Sequence, residues 1–402
     1  MKQLVLIAFA ALAGVHGLSA QQAAQPAQSL QSRVDAYLRE WHAQSSVPGV
    51  SVGIVLKDGT AVRSVAGVAN RATKTALTPD GLMLAGSTGK TFFAALALQL
   101  IESGRLELDA PISKYLGDRP WFPRLPNATA ITVRQLMTHT SGLVRYEMNP
   151  AFTADLRAQP DKVWSPEEEV AYLLDAKPPF AAGEGWDYSD TNYIVLGMIM
   201  EKVTGTKAYD EIRSRFLAPL KLGGVVPQTG REIPKLVNGY AGANDPLGLP
   251  DEMMVNGRLA INPQFEWAGG GFATSAGDLA RWGHALYSAA GEPVTPPITA
   301  PITAPITAMM RNLMVNAAVP ARLGPQVSYG LGVIVRPTTP VGPVWGHSGF
   351  FPGYQSELVH AVDKGITVAV QINTSAPRST GSRSLLRVAF DLIGIVASSS
   401  RP

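Results

Sequence analysis

Apolar side chains recur three to four positions apart over residues 30–43, at Leu30, Val34, Leu38 and Trp41, which predicts an opening helix. The pattern then turns β-like in two runs, 50–57 (VSVGIVLK) and 61–68 (AVRSVAGV). Asp58-Gly59 between them predicts a hairpin, because this pair tolerates the positive backbone angles that a tight turn demands. From Ser87 the period becomes helical, with Phe92, Leu96, Leu98 and Ile101 apolar and Gly104 as a C-cap. Thr132 predicts the N-cap of a short helix through Met137. Ser165-Pro166-Glu167-Glu168 has capping-box spacing with proline in the first turn. Further helices are predicted over 192–203, 208–217 and, capped by Ser275, about 277–287. β-like runs return at 329–336, 343–348, 354–362 and 366–372, with a turn at Asp363-Lys364-Gly365. A last helix is predicted over about 382–396.

This order predicts an α/β (α+β) fold. A central, mainly antiparallel sheet is built from both ends of the chain, about 30–86 and 325–398, and is flanked by helices. A mostly helical part, about 87–324, is inserted between them. Residues 293–308 hold three consecutive Pro-Ile-Thr-Ala units. Proline at every fourth position forbids a helix interior, so an exposed extended loop is expected there. At the start, Lys2, the apolar run Leu4 to Val15 and the small residues Gly17, Ser19 and Ala20 predict a signal peptide over 1–20. A flexible leader, 21–29, is expected before one domain over 30–398.

Composition removes several function classes. The chain has 402 residues, 46% hydrophobic and 16% charged, which excludes a disordered or fibrous protein. Thirty-four basic against 31 acidic residues leave a net charge of +3, too little for a nucleic-acid partner to be expected. The absence of cysteine excludes disulfides, thiolate metal sites and thiol nucleophiles. The six histidines are dispersed, so no metal is expected. No apolar run after the signal is long enough for a stable membrane span. Together these point to the periplasm of a bacterium, or to secretion.

The sharpest chemistry is Ser87-Thr88-Gly89-Lys90 at the start of an apolar helix. Residues three apart share a helix face, so the Lys90 ammonium can lie against the Ser87 hydroxyl. A serine hydroxyl needs such help to act as a nucleophile, and a helix N-terminus favours a developing oxyanion. Alone, the spacing also fits a plain helix cap. Tyr188-Ser189-Asp190 and His347-Ser348-Gly349 complete a three-box pattern.

With these boxes the sequence resembles the penicillin-recognising serine hydrolases: class C β-lactamases, DD-carboxypeptidases and family VIII-like esterases. The resemblance extends to TVRQLMTHTSGL (132–143), YSDTNY (188–193), GGGF (269–272) and GHSGF (346–350), and covers about 30–395. It implies a β-lactamase/transpeptidase-like fold and an exported hydrolase that opens amides through a Ser87 acyl-enzyme. Lys90 and Tyr188 would share acid–base work, with the Tyr188 phenol acidified by nearby cations. The backbone N–H groups of Ser87 and Phe350 would form the oxyanion hole. Asp190, His347, Ser348 and Gly349 would bind substrate, with His347 reaching Tyr188 or a substrate carboxylate. No cofactor is implied. The partner would be a small-molecule or peptide substrate: a β-lactam, a D-Ala-D-Ala peptide or an ester.

Asp190 stands where relatives carry asparagine. An ionised aspartate cannot donate to a substrate carbonyl and would keep Lys90 charged, so Tyr188 is expected to be the base. Other readings are narrower. An ester hydrolase would use the same machinery. An inactive relative would only bind peptidoglycan stems. A P-loop nucleotidase is suggested by Gly86-Ser87-Thr88-Gly89-Lys90-Thr91 but opposed by Leu84 where the loop needs glycine. His139 is expected to order a turn, and Glu167, Glu168 and Glu169 to serve the helix cap and dipole. Gly269-Gly270-Gly271 is expected to permit close backbone approach.

Overall fold

The computed structural model describes residues 29–243, 245–288 and 305–399. The expected signal peptide, nearly all of the leader and most of the Pro-Ile-Thr-Ala stretch lie outside these residues.

Nine strands form one sheet: β1 Gly49–Val55, β2 Ala61–Asn70, β3 Thr75–Ala76, β4 Val319–Pro320, β5 Ser328–Tyr329, β6 Ile334–Arg336, β7 Val344–Phe351, β8 Tyr354–Ala361 and β9 Ile366–Ile372. Their order is β3-β2-β1-β9-β8-β7-β6-β5-β4, with antiparallel neighbours throughout. The two ends of the chain meet at β1 and β9, in register from Val50 opposite Ile372 to Val55 opposite Thr367. This is the sheet expected from the distribution of β-like runs.

Strand alternation divides the molecule into layers. Val50, Val52, Ile54, Val368 and Val370 point to an outer core shared with α1 Leu30–Ala43 and α6 Leu385–Ser399. The other face carries α5 Ala276–Tyr287 and the inserted helices. Gly53 is required there, because a Cβ would stand 2.2 Å from the Ala276 carbonyl oxygen. Beyond α5 lie α2 Lys90–Glu102, α3 Val133–Thr138 and α4 Thr191–Thr204. Every residue from Lys90 to Leu100 in α2, and from Thr191 to Met200 in α4, is buried. Helices apolar on all sides belong at the centre of a large core, and at the N-terminal ends of these two lie Ser87-Thr88-Gly89-Lys90 and Tyr188-Ser189-Asp190.

Local signals mostly act as expected. Thr60 N donates to Asp58 Oδ1 at 2.9 Å across the first hairpin turn, where Gly59 has φ +85°. Thr132 and Ser165 each close a full capping box. The Ser275 hydroxyl accepts from Asp278 N at 3.2 Å. Three expectations need correction. The run 329–336 is not one strand but the hairpin β5–β6, with Ser328 opposite Val335. Gly332, at φ +77°, turns the chain there and lets it press against Ala94. The run at 343–348 extends as β7 through Phe351. The helix expected at 208–217 stops at Ile212 and continues as a π-type turn to Leu217. The inserted part also contains a small sheet of Met83–Leu84, Phe272–Thr274 and Val225–Pro227, whose strands are too short to leave a period in the sequence.

Candidate active site

Ser87 lies in a 3-10 turn, Gly86–Gly89, that runs directly into α2. The turn is pressed against the end of β7: a Cβ at Gly86 would stand 2.4 Å from Phe350 O and 2.6 Å from Phe350 N. Gly86 also has φ +53°, so glycine answers both demands. Ala85 O accepts from Thr88 Oγ1 at 2.9 Å and from Ser356 Oγ at 2.6 Å, which ties the turn to β8. A Cβ at Gly349 would stand 2.0 Å from the same carbonyl, so this strand residue also has to be glycine. The backbone of Gly86, one residue before Ser87, thus lies directly against that of Phe350.

Lys90 is fully buried. Its Nζ donates to Ser87 Oγ at 3.0 Å, to Asp190 Oδ1 and to the carbonyl of Gly269, so all three protons are used. Burial alone would drive Lys90 towards the neutral amine, but the Asp190 carboxylate outweighs it and holds the ammonium above its ordinary pKa. Burial pushes Asp190 the other way, yet Lys90 and Arg145 bring its carboxyl down to about 2. The expectation that Asp190 keeps Lys90 charged matches this geometry. The triple glycine also acts as expected: a Cβ on Gly270, at φ +144°, would stand 2.3 Å from Gly86 O.

Tyr188 closes the group. Lys90 Nζ lies 5.0 Å from the centre of its ring. Its hydroxyl forms no hydrogen bond of normal geometry, although Ser87 and Lys90 are near enough to pull its pKa down. Burial outweighs that pull, and the phenol stands above its ordinary value. The expected acidification by cations is therefore corrected: the resting Tyr188 is a neutral phenol. Behind it, the ring centre of His139 lies 4.2 Å away. His139 ends α3 in the left-handed region, at φ +61°. Its Nδ1 meets Ser189 N at 3.3 Å and Asn192 Nδ2 at 3.0 Å. Burial holds the ring far below its ordinary pKa, so neutral His139 props the tyrosine box, and Asn192 braces His139.

His347 is also corrected. Nδ1 lies 2.7 Å from the Ser348 carbonyl, so it must be the protonated nitrogen, and Nε2 accepts from Tyr329 Oη at 2.8 Å. Neither nitrogen bonds Tyr188. Burial first, then the charge of Lys90, lowers its pKa to about 3. At neutral pH it supplies no positive charge to a substrate carboxylate.

Ser87, Tyr188, Asp190, His347 and the strand residues Ser348 and Gly349 line one cavity of ≈ 690 Å³. Its wall includes Arg145, Glu147 and Glu266, which no motif in the sequence marked. Arg145 Nε donates to Glu147 Oε1 at 2.5 Å, and the Arg145 guanidinium lies 3.8 Å from Asp190 Oδ2. Burial raises Glu147 and Glu266 to about 8 each, leaving both largely protonated at neutral pH. Among the described residues no three His, Asp or Glu side chains are grouped to hold a metal ion. No helix among them is long and apolar enough to cross a membrane.

A penicillin-binding protein 4 of Amycolatopsis lactamdurans is 31% identical over 194 residues, 48% of this chain and 47% of its own length. A D-aminopeptidase of Brucella ovis is 25% identical over 363 residues, 86% of this chain and 60% of its own. This chain therefore spans less than two thirds of either relative's length. The crystal structure of a D-stereospecific amidohydrolase from Streptomyces superposes with a TM-score of 0.70 at 27% identity, covering 87% of this chain and 97% of that one. The sequence profile of the Beta-lactamase family matches residues 34–390, and the chain belongs to that family.

Proposed function

We propose that the protein hydrolyses amides through an acyl-enzyme on Ser87. The observation that carries this reading is the contact of Lys90 Nζ with Ser87 Oγ at 3.0 Å, in a cavity shared with Tyr188. Ser87 Oγ attacks the carbonyl carbon while its proton passes to the phenolate form of Tyr188, which the Lys90 ammonium stabilises. The oxyanion lies against the N–H groups of Ser87 and Phe350. The amine leaves with the proton returned from Tyr188, and water repeats the sequence to release the acid.

The wall charges admit either end of an amide substrate: Asp190 is an anion already paired with Lys90 and Arg145, while the Arg145 and Arg336 guanidinium groups line the same cavity and neutral His347 adds no charge. The reading therefore covers D-Ala-D-Ala ends and β-lactams as well as amides of D-amino acids. The names of the similar aminopeptidase and amidohydrolase support that class. Ester hydrolysis is a second reading. Lys90 and Tyr188 are both protonated at rest, and a phenol or alcohol leaves with less proton assistance than an amine. Export to the periplasm or beyond belongs to the same proposal and rests on residues 1–20.

Intact-mass analysis after mixing with a D-amino acid amide, penicillin and a p-nitrophenyl ester tests it. A mass increment mapped to Ser87, absent in Ser87→Ala, is expected. Turnover retained by Ser87→Ala would overturn it.

A further inference from the structure

The cavity continues past Ser87 around the edge of β7. Strand β6 pairs with β7 only from Gly346 back to Val344, so residues 347–351 have one edge without a strand partner. On the inner face of the β7–β8 ribbon, Gly349 packs on Ala85. On the outer face, Ser348 lies opposite Glu357 and Phe350 opposite Gln355. Farther along that face, Val359 and Ala361 join the core beneath α6. All four outer residues line the cavity, together with Leu385 at the start of α6.

Glu357 is 6% exposed, and its Oε1 has no hydrogen-bond partner. A buried acceptor left unmatched in the free protein is a vacancy for a donor from a ligand. Burial raises the Glu357 pKa, and the Arg336 charge and the Ser348 hydroxyl only partly oppose it; no salt bridge within 4.0 Å joins Arg336 to it, so an ammonium placed there would supply the partner that favours the carboxylate. Phe350, beside this carboxylate, is 46% exposed, the largest apolar surface at the edge. The open side is marked by Phe350 alone, since Glu357 is as buried as Glu147 and Glu266 on the inner wall. In an acyl-enzyme reaction the leaving group must depart while the acyl group is still attached, so it occupies the open side.

We propose that the outer face of β7–β8 is a leaving-group subsite for amines that carry a second, cationic nitrogen. Glu357 accepts from that nitrogen, and Phe350 covers the intervening methylenes. The proposal rests on the Ser87 acyl-enzyme reading and assigns the side of the substrate which that reading leaves open. Glu357 touches no reacting atom; it determines specificity.

The test uses the full chain and two D-alanine amides that differ only in the leaving amine: 1,5-diaminopentane, ending in an ammonium, and n-pentylamine, ending in a methyl. The readout is the ratio of their kcat/KM values within each variant, which cancels any loss of active protein. Wild type should prefer the diamine about tenfold or more, the effect of one charge-assisted hydrogen bond. Glu357→Gln should bring the ratio close to one, and Glu357→Asp should keep part of the preference. Equal rates in wild type, or a preference unchanged in Glu357→Gln, would overturn the subsite while leaving acylation of Ser87 intact. Failure of either amide to acylate Ser87 would instead overturn the underlying reading, and the subsite with it.

Discussion

Two groups of acids in the inserted part of the chain behave oppositely. Asp190 shares a buried ion pair with Lys90, in which each ammonium proton has an acceptor. Glu147, Glu169 and Glu266 are also buried, yet Glu147 Oε2, Glu266 Oε2 and both oxygens of Glu169 have no hydrogen-bond partner. Asp190 is held down at about 2, while burial lifts Glu147 and Glu266 to about 8 and Glu169 well above the usual range. Depth alone does not set the charge state. Asp190 faces two cations, Lys90 and Arg145, and is held down, whereas Glu147 has Arg145 alone and is raised by burial and by the Asp190 charge, and Glu169 and Glu266 have no ion-pair partner among the described residues. The Asp190 side keeps a permanent dipole beside Ser87, and the other three acids are kept neutral and can ionise as the pH rises.

Removing the partner should break the comparison most severely. Lys90→Ala leaves Asp190 with Arg145, at 3.8 Å, as its remaining cation, so the loss of stability should fall below the ~3–5 kcal/mol typical of a fully uncompensated buried charge. It also removes the group that stabilises the Tyr188 phenolate, so acylation should fall on the order of 10² or more. Urea unfolding and the rate of covalent labelling measure the two losses. Near-native values of either would contradict the ion pair as described.

Asp190→Asn tests the same pair from the other side. Without the carboxylate, burial is the dominant influence on Lys90 and drives its pKa down. A neutral amine then becomes available as base. On the proposed mechanism the wild-type base is Tyr188, raised above its ordinary value, so log kcat/KM should climb through pH 7–9 without a plateau. In the variant that limb should move down by at least about one pH unit. Asparagine can also donate to an acyl-amide carbonyl, so β-lactams should gain relative to amino acid amides. An unchanged pH profile and substrate profile would show that Asp190 does not control Lys90.

The two sides also differ in how much of them the sequence revealed. Ser87 and Lys90 were legible because their contact is local, three residues apart on one turn. The effect of Asp190 on Lys90 followed from charge alone once the boxes were aligned by resemblance. The state of Tyr188 was not legible, because it depends on burial outweighing a cation, and depth is a property of the finished core. His347 was misread for a topological reason. Its partner Tyr329 comes from the hairpin β5–β6, which reads in the sequence as a single strand. Arg145, Glu147 and Glu266 come from short 3-10 turns or their flanks, with no periodicity to mark them. Glu168 does cap its helix as expected, but its neighbour Glu169 turns inward.

That neighbour gives a smaller, sharper test. A carboxyl whose folded pKa is raised keeps its proton where the unfolded chain has lost it. Its contribution is full below the unfolded value, near 4.5, and is lost as pH rises through the folded one. Asp190 works in the opposite sense: its contribution is present above about 3.8 and is lost as pH falls through about 2. The two trends cross, so thermal stability should peak in mild acid and decline towards pH 8. Glu169→Gln keeps the shape, removes the proton and touches neither Ser87 nor the cavity. It should flatten the decline and raise Tm at pH 8 by more than at pH 5. Melting curves across that range decide it; a parallel shift at both pH values would mean Glu169 is already ionised in the fold.

The smallest effect belongs to the paired side. Tyr329→Phe deletes one hydroxyl and leaves His347 Nε2 as a buried acceptor without a donor. The loss of such a bond is about 1–3 kcal/mol, or a few degrees in Tm for a domain of this size. Removing a donor to the neutral ring also makes protonation easier, so the His347 pKa should rise from about 3. Burial and the nearby Lys90 charge remain, and they are the two largest influences on it, so the ring should stay neutral at pH 7. The kcat/KM profile above pH 6 should then keep its shape, with any loss below about threefold, equivalent to about 0.7 kcal/mol. A new titration near neutral pH in this variant would place His347 in the chemistry; its absence confines the residue to holding β5 against β7.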